Sequence, residues 1–192
     1  MKQYLEPSEF INSEHPQIQA QAKRLKSHLK TDVYIAKACF EYVRDTISHS
    51  WDYKIDQITC KASDVLQHKT GYCYAKSHLL AALLRANGIP AGLCYQRLLL
   101  SSESTAHCLH GLNAVYLKEF GWYRIDPRGN KEGVNAQFTP PLEQLAFSTN
   151  GRLEAELEGI WAEPYRSVVH ALTTQRTCLG VYQNLPDIQL DT

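Results

Sequence analysis

A cysteine can act as a nucleophile when its thiolate is favoured, a base stands within reach, and a third group orients that base. Cys73 lies in Gly71-Tyr72-Cys73-Tyr74-Ala75, at the head of a run in which Leu79, Leu80, Leu83 and Leu84 recur at three- and four-residue spacing. That spacing is one face of an α-helix. Ala75, Ala81, Ala82 and Ala86 reinforce it, and alanine is the strongest helix former. Gly88-Ile89-Pro90 then stops it, glycine at the left-handed C′ position and proline unable to continue. Gly71 precedes the start, where a backbone without Cβ can turn sharply. Cys73 is thereby placed in a first helical turn, among unpaired N–H groups and the positive end of the dipole. Such a place favours the thiolate. The bland alternative is a small buried thiol that does no chemistry.

Candidates for base and orienter follow downstream. Residues 91–100, 109–117 and 122–125 read as strands, the last two joined by Lys118-Glu119-Phe120-Gly121. His110 opens the second strand and Asp126 ends the third. A hairpin centred near residue 118 makes them cross-strand neighbours, within side-chain hydrogen-bonding reach. His107 competes as base, and Asp126-Pro127 could be a plain strand-ending turn. His107-Cys108-Leu109-His110 is the nearest approach to a metal site, but a fourth ligand has no evident source and no Cys-x-x-Cys pair occurs. No metal and no cofactor are expected.

The elements that must position these residues begin with helices. Ile18, Ala22, Leu25 and Leu29 mark one running from Pro16 through Lys30, and Thr31-Asp32 offers a break and a cap. A second, from Tyr34 through Ile47, follows. Residues 48–62 lose the period and read as a loop, with a short helix over residues 63–67. Beyond the strands come a loop, a short helix over 142–147, an ambiguous stretch over 153–161, and a final helix from Pro164 that extends toward Cys178. Leu179, Tyr182 and Leu185 are the tail residues expected to dock. Helices first and antiparallel strands next argue an α+β fold. No linker or repeat divides residues 1–192, so one domain is expected, with its core near 35–130 and 131–192 packed on it as an extension.

Lys+Arg and Asp+Glu are equal at 20 each, which argues against nucleic-acid binding driven by phosphate neutralisation. No apolar run is long enough for a membrane span. Met1 to Pro7 has no apolar signal region, and a cytoplasmic location with six free thiols is expected.

In order, Gly71-x-Cys73-x-Ala75, Leu83 to Ala91, His110 with Val115-Tyr116-Leu117, and Gly121-Trp122-x-x-x-Asp126-Pro127 resemble the transglutaminase-like superfamily of papain-like cysteine enzymes. Tyr42 to Asp45 extends the resemblance, which covers roughly residues 35–130. It implies a papain-like core with Cys73 as nucleophile, His110 as base and Asp126 as orienter. It implies thiol acyl transfer on peptide or protein amides through a thioester, resolved by water in a protease, amidase or deamidase, or by an amine in a transglutaminase. Hydrolysis is the favoured outcome. Three features depart from the family pattern. His110-Gly111-Leu112 stands where the family shows His-Ala-Trp, Asn113-Ala114 where it shows a polar pair with an acidic residue, and Arg128 where it shows a small polar residue. The backbone N–H of Cys73 is one candidate oxyanion donor. Candidates for the second are Gln67, at the spacing of the papain glutamine, and Trp51 or Tyr53, since transglutaminases take an indole or phenol donor from such a segment. Tyr72 and Tyr74 are candidates to line the acyl groove. The alternatives are an acyl transferase resembling arylamine N-acetyltransferases, and a papain-fold interaction module whose cleft is idle or covered by 131–192. The sequence sets no oligomeric state.

Overall fold

The computed structural model describes residues 1–101, 104–151 and 153–188. Its centre is α5 (Cys73–Ala86), in which every residue except Ala86 is buried. Its stretch Leu79 to Leu84 is apolar around the circumference, as suits a helix inside the protein rather than on its surface. Against it pack α1 (Pro16–Lys26), α2 (Asp32–Thr46), α4 (Ala62–His68) and the strands β3 (Ala91–Leu99) and β4 (His107–Leu117). The helix ends as its sequence requires, with Gly88 at φ +75°. The Thr31 hydroxyl caps α2 by accepting the Tyr34 N–H at 3.3 Å. α1 stops at Lys26, short of Lys30, and His28 takes a left-handed φ of 71° in the turn that follows.

The main sheet runs β5 (Gly121–Ile125), β4, β3, β8 (Ala155–Glu156), with every pair antiparallel. The expected α+β class is therefore the observed one. The β4–β5 register places Leu117 opposite Gly121 and Asn113 opposite Ile125. This hairpin is centred on residue 119, not 118. Gly121, at φ +76°, opens the strand instead of closing the turn, as in three-residue hairpin loops that end on a left-handed residue.

Three local expectations change. The stretch 48–62 is not all loop. β1 (Ser48–His49) pairs in parallel with β2 (Thr70–Gly71), and α3 (Ser50–Tyr53) follows. Two-residue strands are too short to show a period. Residues 142–147 do not form a helix, because β7 (Leu142–Gln144) pairs with β6 (Gln137–Thr139). The final helix is two, α6 (Arg166–Thr174) and α7 (Cys178–Gln183), the second capped by Thr177, whose hydroxyl accepts the Gly180 N–H at 3.0 Å. Leu179 remains exposed, while Tyr182 and Leu185 pack inward.

Two buried cations hold distant segments to α5. Arg85 donates to the carbonyls of Ala91 at 3.0 Å, Glu6 at 2.8 Å and Ala162 at 2.7 Å. Lys76 donates to the carbonyls of Ile47 and Arg44. The second contact fixes the end of α2, and with it β1, beside the first turn of α5.

Candidate active site

Cys73 is the first residue of α5. Tyr72 is its N-cap and supplies no side-chain bond, so the first N–H groups of the helix are left to whatever occupies the space in front of it. Gly71 earns its place by close approach. A Cβ there would lie 3.0 Å from the Ala75 Cβ and 3.1 Å from the Thr59 hydroxyl. Its φ is not left-handed, so it does not supply the sharp turn expected of it.

Gly111 does the same from the other side. A Cβ on it would lie 2.8 Å from Tyr74 Cδ1 and 3.2 Å from Tyr74 Cα. Its absence lets β4 run against the start of α5, which accounts for a glycine directly after His110. His110, the neighbouring residue, is thereby brought to the cleft that Cys73 lines, near enough for the sulfur to raise the proton affinity of the imidazole. His110 pairs with Gln96 across β3–β4, and Asp126 lies one position past the end of β5. They are diagonal neighbours rather than directly opposed, because the register is shifted by two. A shift of two leaves both side chains on one face, and His110 Nε2 meets Asp126 Oδ2 at 2.7 Å.

The Asp126 carboxylate is wholly buried. Oδ2 also accepts the Ala146 N–H at 3.1 Å, and Oδ1 accepts the Arg128 N–H at 3.1 Å. Burial alone would raise its pKa, but His110 and these N–H groups hold it below the usual carboxylate range. Burial would likewise lower that of His110. The Asp126 carboxylate and the Cys73 sulfur prevail and raise it to about 10. Phe147 stands edge-on to the imidazole, with ring centroids 5.0 Å apart. Asp126 holds the ring at Nε2, and Phe147 limits its rotation. The set can stabilise an imidazolium beside sulfur, present that sulfur to a carbonyl carbon, and return a proton to a leaving group.

Cys73 and His110 open into a cleft of about 540 Å³. Leu98, Leu99, Cys108 and Phe147 line one part of it, and Trp51, Tyr182 and Leu185 another. Tyr182 stacks on Trp51 at 3.6 Å with the rings parallel to 1°. Lys54 Nζ sits 3.0 Å from the same indole centroid. The C-terminal segment thus builds a wall of the cleft and leaves Cys73 7% exposed.

The structure brings some of the remaining candidates to this cleft and not others. Tyr72 and Tyr74 line it while being almost wholly buried. The Tyr72 hydroxyl donates to the Cys178 carbonyl at 2.7 Å, and that of Tyr74 to the Leu109 carbonyl. Trp51 lines it, Tyr53 is 70% exposed on α3, and Gln67 faces solvent on α4. Gln67 is absent from the cleft because α4 turns its apolar residues, Val65 and Leu66, to the core. His107 and His110 differ by an odd number along β4 and so face opposite sides of the sheet. Among the described residues no cluster of three or more His, Cys, Asp or Glu is arranged to hold a metal.

Sequence reasoning missed His49, Asp52 and the position of Arg128. Arg128 grips Asp52 through both guanidinium nitrogens, at 2.7 and 3.0 Å, and Lys131 joins at 2.7 Å. His49 lines the cleft beside them. A two-residue strand carries no pattern that would have singled it out.

The sequence model of the transglutaminase-like superfamily matches residues 19–127. No curated protein sequence matches the chain. Among solved structures, a protein described as a "putative cysteine protease" from Cytophaga hutchinsonii superposes with a TM-score of 0.52 at 20% identity, over 65% of this chain and 40% of that one. The periplasmic domain of TgpA from Pseudomonas aeruginosa gives 0.48 at 19%, over 65% and 45%. Red sea bream transglutaminase gives 0.43 at 17%, over 57% and 26%. The chain thus spans less than half the length of these neighbours, and at such identities the likeness is one of fold.

Proposed function

The chain belongs to the transglutaminase-like superfamily, and from that premise we propose that it is a thiol acyl-transfer enzyme acting on amide bonds of peptides or proteins, with Cys73, His110 and Asp126 as its triad. The observation that carries this reading is the 2.7 Å bond between the buried His110 and Asp126, made at the cleft into which the first turn of α5 presents Cys73.

The Cys73 thiolate attacks the amide carbonyl, and the carbonyl oxygen takes the negative charge. Collapse breaks the C–N bond while His110 gives its proton to the departing amine, leaving a thioester. A water molecule then adds to the thioester, with His110 accepting its proton. The C–S bond breaks, the acid leaves, and the thiolate–imidazolium pair is restored. Asp126 holds the imidazole in one orientation throughout and keeps its charged form available. We favour water as the acyl acceptor, in keeping with the protease description of the Cytophaga neighbour. An amine in its place would give transamidation. Six thiols without a disulfide among them fit a reducing compartment such as the cytoplasm.

Iodoacetamide labelling read by peptide mass spectrometry tests the nucleophile. Burial pushes Cys39, Cys60, Cys94 and Cys108 up to about 12, so these serve as slow internal references. Cys73 is expected to label first, and His110→Ala to abolish that lead. Equal rates across the thiols would overturn the reading. Incubating a glutamine-containing peptide with and without a fluorescent primary amine then separates hydrolysis from transamidation.

A further inference from the structure

The mechanism puts a negative charge on the carbonyl oxygen, and the backbone N–H of Cys73 is one donor for it. A side chain beside the first turn of α5 can supply a second. Tyr53 and Gln67 are exposed, and Trp51 lines the cleft with its ring stacked on Tyr182 and under Lys54, so that only the in-plane N–H of its indole is open.

His49 is better placed. In the β1–β2 pair its Cα lies opposite Gly71, two residues before Cys73. Its ring meets that of Tyr72 edge-on at 5.6 Å and lines the same cleft as Cys73 and His110. The side chain is 9% exposed, and its Nδ1 is buried with no hydrogen-bond partner. Asp52 Oδ2 is 3.7 Å from that nitrogen, beyond bonding distance, and its carboxylate is taken up by Arg128 and Lys131. Leaving a buried polar atom unpaired is costly, and such atoms mark sites where another demand has set the position.

We propose that His49 is the side-chain donor of the oxyanion hole, its imidazole N–H facing the acyl oxygen opposite the backbone N–H of Cys73. The inference rests on Cys73 being the nucleophile. Nδ1 makes no hydrogen bond and the Asp52 carboxylate is taken up by two cations, so we assign the imidazole proton to Nε2, which leaves an N–H free for the cleft. Burial and the nearby Arg128 charge hold His49 well below the usual imidazole range, only partly offset by Asp52. The ring is therefore a neutral donor. Arg128 and Lys131 outnumber the one carboxylate between them, and this positive surplus favours an anion at the same place. Lys76, by holding the Ile47 carbonyl, keeps β1 and His49 in register with α5.

The test compares two reactions of Cys73. Acylation by p-nitrophenyl acetate passes through a tetrahedral oxyanion, whereas alkylation by iodoacetamide is a direct displacement and forms none. His49→Phe is expected to slow acylation by about 10²–10³-fold, the usual effect of removing one oxyanion donor, with alkylation unchanged. His49→Gln, which restores an N–H, should recover part of the loss. Unchanged acylation in His49→Phe would overturn the proposal. Parallel loss of acylation and alkylation would also overturn it, by showing that His49 only supports the Cys73–His110 pair. If His49→Phe does not fold, as judged by circular dichroism, His49→Leu takes its place in the comparison. Should the wild-type chain show no preferential alkylation of Cys73, the nucleophile reading itself fails, and the two failures are thereby told apart.

Discussion

His110 takes its proton affinity from two partners that can be removed separately. Asp126→Asn keeps the volume and a hydrogen-bonding atom but removes the charge. We expect a fall in kcat of about 10²–10⁴-fold, the range for losing effective general acid–base catalysis. In the same variant the His110 pKa should drop from about 10, a shift that NMR titration of the imidazole would follow. Stability gives a further check. His110 binds its proton more tightly folded than unfolded, so its contribution is complete below about 6.5, its ordinary value, and is lost as pH rises toward 10. Lys76 works in the opposite sense. Burial and the Arg128 charge lower it to about 7, so the unfolded chain binds more protons between 7 and its ordinary value and stability rises with pH there. Urea unfolding at pH 7 and pH 9.5 should show a more positive slope in His110→Gln than in wild type, and a more negative slope in Lys76→Met. Slopes that move the other way would refute the assignments.

At the scale of elements, the site depends on how closely β4 approaches the head of α5. Gly111 makes that approach possible, and Gly111→Ala would put a methyl group within 2.8 Å of the Tyr74 ring and 3.2 Å of its Cα. The ring could turn, but the backbone could not yield without moving the strand that carries His110. A cost of about 1–3 kcal/mol is expected, as for overpacked cores, together with slower Cys73 alkylation. Denaturant unfolding and labelling measure the two effects on one sample. Retained labelling at wild-type rate would mean that strand and helix can separate without disturbing the pair. The helix itself was legible in sequence from Leu79, Leu80, Leu83, Leu84 and Gly88, because a fourteen-residue helix repeats its pattern four times. β1, β2, β7 and β8 were not, since each is two or three residues long and exists through its partner.

Across the whole molecule, the segment after α6 completes the cleft from a distance in sequence. The Pro186 carbonyl accepts the Leu109 N–H at 2.7 Å, Arg97 holds Asp187 at 2.7 Å, and Tyr182 covers Trp51. Truncation after Thr174 is expected to lower stability, to open the cleft on the Tyr182 and Leu185 side, and to broaden the range of acyl groups accepted while the His110–Asp126 pair persists. Thermal unfolding and a panel of p-nitrophenyl esters of increasing chain length would read both. An unchanged chain-length profile would remove this segment from substrate selection. Arg85 joins the N-terminal lead-in, β3 and the approach to α6 through three carbonyls. Arg85→Ala strands all three and should cost at least about 3 kcal/mol in urea unfolding, taking about 1 kcal/mol or more for each buried acceptor left unpaired.

By itself, the sequence determined the central helix headed by Cys73, the α+β order, and the pairing of His110 with Asp126, which its resemblance to the transglutaminase-like superfamily joins to Cys73 as a proposed set. These follow from periodicity and from the parity of strand positions, which are local properties. Parity also explains why a hairpin register wrong by two residues still put His110 and Asp126 on the same face. Only the tertiary structure decided what stands around that set. Gln67 turned out to solvent because α4 had apolar residues to bury. His49 reached the cleft through a two-residue parallel pair. Arg128, Asp52 and Lys131 became one cluster although 76 and 79 positions separate the two cations from the acid. Contacts over such distances depend on how elements pack, and packing leaves no periodic trace in the chain that undergoes it.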